Sequence, residues 1–153
     1  MTERILVAYD GSPAAGKAVA TAQAIAAQED VVIDLLYVID TRSYHVGLYQ
    51  QPDVDGTILY NAETRAELEL DEQAKKLQAQ GLTVAYHLRF GNPRTVIALD
   101  FPQEYHSSLI ILGRATKHAA TRMFMGSVAS FVTENAPCDV LIVTASEAPV
   151  DPR

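Results

Sequence analysis

Gly113, Thr116, Gly126, Ser127 and Asp10 are the residues whose types and spacing suit the binding of an anion. Gly113 follows an apolar run, Leu109–Leu112, and Gly126-Ser127 precedes a stretch expected to be helical, Ser127–Asn135. A glycine after a strand lets a ligand approach the backbone with no Cβ in the way. A Gly-Ser pair opening a helix offers free N–H groups and the positive end of the helix dipole. Arg114, Lys117, His118 and Arg122 lie between the two glycines and add a local positive field. Each feature also has a plainer reading. The glycines suit turns, the basic residues a solvated face, and Asp10 and Ser12 the start of a first helix.

The elements that must position these residues are legible in the apolar pattern. Ile5–Tyr9, Val31–Ile39, Leu109–Leu112 and Val140–Val143 read as buried strands, and Val84–Phe90, which alternates more, as a less buried one. Ser12-Pro13 is a cap followed by proline at the first helical position, opening an alanine-rich helix to about Gln28. A second helix is expected from about Leu59 to Gln80, with Ala66, Leu70, Ala74 and Leu77 on one face and Gly81 placed to stop it. A third opens at Asn92-Pro93, turns Val96, Ile97 and Phe101 inward, and is kinked or ended by Pro102. The fourth is Ser127–Asn135, with Pro137 just past its end. This alternation predicts an α/β fold, a single-domain doubly wound parallel sheet with helices on both faces. It spans residues 1–146, with a frayed tail at 147–153. The long stretch Thr41–Thr57, with Tyr44, His45 and Tyr49, reads as a functional loop.

Composition narrows the function classes. The chain has 153 residues and a net charge of −7, which disfavours nucleic acid and anionic membrane as partners. No apolar run approaches the roughly 18 residues of a membrane span. The single Cys138 excludes an intrachain disulfide framework and fits a reducing compartment, so the expected location is cytoplasmic. His45, His87, His106 and His118 show no metal-ligand spacing. GxxxxGK[ST], GxGxxG and GxSxG are all absent. Asp10 stands alone as an acidic residue at its strand end, so a multi-carboxylate magnesium site is not expected.

Open α/β sheets bind ligands beyond the carboxyl ends of the strands, where the winding reverses. With the first strand central, Ala8-Tyr9-Asp10 and Leu112-Gly113 become neighbours there. A nucleotide suits such a crevice. Its phosphates would meet the loop and helix start, its ribose the carboxylate, and its base an apolar wall near Val38.

Taken in order, ILVAYDGSPAAGKAV, LLYVID, GNPRTVI, LIILG and MGSVASFVTENAPCDVLIV resemble the universal stress protein family over roughly Glu3–Thr144. The resemblance implies a Rossmann-like five-stranded sheet of order 3-2-1-4-5 and a homodimer, commonly through the last strand, here Val140–Val143. One branch of the family binds ATP through G-x2-G-x9-G-[ST]; the other lacks the glycines and does not. Here Gly113 and Gly126-Ser127 match at the family spacing, but Thr116 replaces the middle glycine. Threonine is β-branched and resists positive φ, so binding is expected to be weakened rather than abolished. Ser108, where the family often has Asp, is expected to concern turn chemistry. Carried over, Ala8, Asp10 and Val38 frame the adenosine, Leu112 and Gly113 line the cleft, and Thr116, Gly126, Ser127 and Val128 hold the phosphates, with Tyr9 and Arg114 also counted among the binding residues. The expected cofactor is ATP, alone or with Mg. The expected role is a stress-response sensor or regulator with at most slow ATP hydrolysis. The alternative is a nucleotide-independent dimeric interaction module with an occluded cleft.

Overall fold

A computed structural model describes residues 2–42, 56–115 and 119–145; for 115 and 119–125 it describes the backbone only. The expectations for the loop at 43–55, for Thr116, Lys117 and His118, and for the tail from 146 lie outside the described residues. The strands are β1 (Glu3–Ala8), β2 (Val31–Ile39), β3 (Thr83–Phe90), β4 (Leu109–Ala115) and β5 (Asp139–Ala145). All pair in parallel, in the order β3-β2-β1-β4-β5. Over the described residues the helices are α1 (Pro13–Ala26), α2 (Thr57–Gln78), α3 (Pro93–Thr95), α4 (Phe101–Tyr105) and α5 (Ala119–Asn135). A π-helical turn, Val96–Asp100, joins α3 to α4.

The central strands are apolar nearly throughout because both faces of a parallel sheet are covered. Ile5, Val7, Ile33 and Leu35 face one core, closed by Ala15, Ala18 and Ala22 of α1 and by Leu70, Ala74 and Leu77 of α2. Leu6, Leu36, Ile110 and Leu112 face the other, closed by Ile97, Phe101, Ala129 and Val132. The alanines of α1 let its backbone lie close to the sheet. β3 is the least buried, as its alternation predicts, because it is an edge strand covered mainly by α2.

The caps predicted at Ser12 and Asn92 are present. Ser12 Oγ accepts from Ala15 N at 3.1 Å, and Asn92 Oδ1 from Arg94 N at 3.0 Å. Gly81 follows α2 with φ +84°. Pro102 neither ends nor simply kinks the third helix; the widened π turn immediately precedes α4, where Pro102 sits in the first turn. A proline removes one N–H and crowds the carbonyl four residues earlier, which a wider turn accommodates.

One buried polar layer was not visible in the sequence. Asp34, fully buried within β2, accepts from Arg4 Nε at 2.8 Å and Nη2 at 2.7 Å. His87 Nε2 lies 2.9 Å from Asp34 Oδ1, and Phe101 and Tyr105 stack over the cluster at 4.3 Å between ring centroids. The hydrogen bond to Asp34 raises the Arg4 guanidinium above its ordinary pKa. Ser108 donates from both N and Oγ to the Arg4 carbonyl, at 2.9 and 3.1 Å, so it ties the entry of β4 to β1 rather than serving a local turn as expected.

Candidate functional site

The winding of the sheet reverses between β1 and β4, and a cleft of about 570 Å³ opens at their carboxyl ends. Ala8, Tyr9, Asp10, Val38, Leu112, Gly113, Ser127 and Val128, all predicted from sequence, line it. Leu36, Val38 and Ile97 supply an apolar wall. Asp10, Asp40, Arg42, Asn92, Arg94 and Ser127 bring polar groups to the same space. A cavity of this size, mostly apolar with a few convergent polar groups, has the makeup of a small-molecule site.

Several assignments need correction. Tyr9 borders the cleft, but its ring packs in the α1–α2 core, edge-on to Tyr37 at 6.3 Å. Burial, reinforced by the charge of Glu69, raises its phenol pKa. Arg114 is exposed beyond Gly113 and does not line the cleft. Glu69 of α2 turns inward: its Oε2 is buried and would stand 2.8 Å from a Cβ at Gly11. Asp10 is not the sole acidic residue at the cleft, since Asp40 at the end of β2 joins it. Arg42 Nη2 pairs with Asp40 at 2.7 Å, and this hydrogen bonding holds the Asp40 carboxyl below its ordinary pKa. Asp10 Oδ1 accepts from Ser12 N at 2.9 Å, so it does serve the entry to α1.

The largest correction concerns Gly126-Ser127. The pair does not open a helix; α5 begins at Ala119, and the pair lies about two turns inside it. Residues 119–125 (AATRMFM) are mostly strong helix formers, and their propensity outweighs the start signal of a Gly-Ser pair. The free N–H groups of an α-helix belong to its first four residues, so in this form the motif amides fall outside that set.

The two glycines differ in what surrounds them. A Cβ at Gly113 would meet the backbone of α1 at Ala14, whereas among the described residues nothing lies within 4 Å of one at Gly126. Gly113 is therefore required by packing whatever the cleft binds. Gly126 has no such reason in the described structure.

Arg94, Asp40 and Arg42 were not singled out from sequence, and Asn92 was read only as a helix cap. Arg94 Nη2 donates to Ser127 Oγ across the cleft. Among the described residues no group of three or more His, Cys, Asp or Glu gathers to hold a metal. None of the helices searched there is long and apolar enough to cross a membrane.

Fold and cleft together define a Rossmann-like α/β protein with an open cleft at the switch point. Residues 1–144 match the model of the universal stress protein family, and the chain belongs to that family. It is 32% identical over 150 residues to a universal stress protein of Staphylococcus aureus strain USA300, covering 97% of this chain and 88% of that one. The structure of UspA from Lactobacillus plantarum superposes with a TM-score of 0.74 at 25% identity, over 92% of this chain and 97% of that one. A family member from Arabidopsis thaliana, solved with AMP bound, superposes with a TM-score of 0.69 at 18% identity, over 98% and 97% of the chains.

Proposed function

We propose that the protein binds an adenine nucleotide in the cleft between β1 and β4, and acts as a nucleotide-responsive stress regulator rather than as an efficient enzyme. The observation that carries this reading is the cleft itself, where an apolar wall and a polar end built from Asp10, Ser127 and Arg94 share about 570 Å³. The adenosine suits the wall at Leu36, Val38 and Ile97, and the phosphates suit Ser127 and Arg94. The AMP bound by the Arabidopsis family member supports the choice of ligand. A bound magnesium ion would travel with the phosphates, because Asp40 is engaged by Arg42 and Asp10 by the Ser12 amide.

Binding at 100 times the dissociation constant would stabilise the fold by about 2.7 kcal/mol, enough to couple nucleotide level to abundance or to a partner's recognition. ATP hydrolysis is proposed to be at most slow. The protein is further proposed to be a cytoplasmic homodimer.

The test has two parts. Purified protein is denatured and the released small molecules are identified by mass spectrometry; stripped protein is then titrated with ATP and AMP by calorimetry. An adenine nucleotide in the first, or saturable heat in the second, is the expected result. Thr116→Gly should tighten ATP binding, because it removes the Cβ from the middle motif position. No binding by either protein at about 1 mM ligand, a level that excludes all but the weakest affinities, leaves the nucleotide-independent interaction module.

A further inference from the structure

We propose that Arg94 reads the phosphate end of the ligand, so that the cleft distinguishes a phosphorylated adenosine from adenosine itself; this rests on the nucleotide reading above. Three other arginines of the described structure pair with carboxylates, Arg4 with Asp34 at 2.7 Å, Arg42 with Asp40 at 2.7 Å and Arg89 with Glu104 at 3.8 Å, while Arg65 and Arg114 are exposed to water and lie outside the cleft lining. Arg94 is half-buried at the cleft and has no carboxylate partner among the described residues; its side chain rests on the neutral hydroxyl of Ser127. A guanidinium partly withdrawn from water gains far more from an anion than from a hydroxyl, and its planar fork matches two phosphate oxygens.

The backbone beneath it is fixed. Asn92 caps the Arg94 amide, and Pro93 holds the preceding φ. Arg94 therefore meets the ligand from a pre-set position, and its contact with Ser127 occupies the anion's place until a phosphate arrives. When it does, the guanidinium transfers from the hydroxyl to the phosphate oxygens, and Ser127 Oγ–H is released to donate to the same group. In this chain Arg94 supplies charge to a motif whose middle glycine is Thr116.

Calorimetric titration of wild type, Arg94→Ala and Arg94→Lys with ATP, AMP and adenosine tests this. Arg94→Ala should weaken ATP and AMP by roughly tenfold to a hundredfold, the range for a lost charge-assisted contact, and leave adenosine within about twofold. Arg94→Lys should recover part of the loss, since it keeps the charge but not the fork. Equal ATP affinity in wild type and Arg94→Ala overturns the proposal while the nucleotide reading stands. A parallel loss of adenosine affinity overturns it too, by showing that Arg94 only shapes the cleft. Failure of wild type to bind any of the three sinks the nucleotide reading, and this inference with it.

Discussion

A Cβ at position 113 would stand 2.2 Å from the carbonyl oxygen of Ala14, against backbone that no rotamer change can move aside. Gly113→Ala must therefore push β4 and α1 apart, at a cost of about 3 kcal/mol. Position 126 is the reverse case. A methyl group there meets nothing within 4 Å among the described residues, and the residue sits in a helix, where glycine is worse than alanine by about 1 kcal/mol. Gly126→Ala should stabilise the ligand-free protein by up to about that amount and weaken nucleotide binding, because the methyl group enters space the phosphates need. Urea denaturation of both variants, with ATP titration of the second, checks the pair. Equal destabilisation by both substitutions would mean that Gly126 is held by packing after all.

At the scale of elements, α5 decides how the motif can work. Its first turn is at Ala119, so the amides of Gly126 and Ser127 are not free while the helix is whole. If the phosphates are to reach those amides, the segment before them has to unwind, and its helical stability opposes binding. Ala120→Gly lowers that stability by about 1 kcal/mol with the smallest available change in side chain. It should raise ATP affinity by up to about fivefold, with loss of helix signal on binding in circular dichroism. Unchanged affinity would place the whole phosphate contact on side chains, Arg94 and Ser127 first.

The same helix shows where sequence reading ends. Apolar runs, caps and prolines located all five strands, the start of α1, the inward face of α2 and the switch-point cleft, because each is dictated locally or by the two-sided burial of a parallel sheet. The start of α5 was misplaced because two local signals compete there, and the sequence alone does not weigh them. Asp34 escaped notice for another reason. Within VVIDLLYVI it reads as an interruption, and only the pairing of β2 between β1 and β3 brings Arg4 and His87 to it. Arg94 was legible only as part of GNPRTVI, since its meaning depends on Ser127, 33 residues later.

For the whole molecule, the sheet ends in two unlike edges. β3 carries His87 and Arg89, and Tyr86 lies 3.5 Å from Asp71 of α2; charged and tied side chains discourage pairing with another strand. On β5, Val140–Val143 has no charge and pairs only with β4 among the described residues, and Leu141 is exposed. An uncharged open edge is a template for a second copy of itself, and two-fold association would cover it on both protomers at once. A net charge of −7 per chain opposes approach, so the contact must come from apolar side chains and backbone rather than from complementary fields. Leu141→Lys places a charge on each partner where the two edges meet. It should weaken dimerisation by at least about tenfold while changing the stability of the fold by no more than about 0.5 kcal/mol, because the side chain is at the surface. Light scattering over a concentration series measures the first and denaturant titration the second. A wild type that stays monomeric at high concentration, or a variant that dimerises undiminished, would remove β5 as the interface and leave the open edge to another partner.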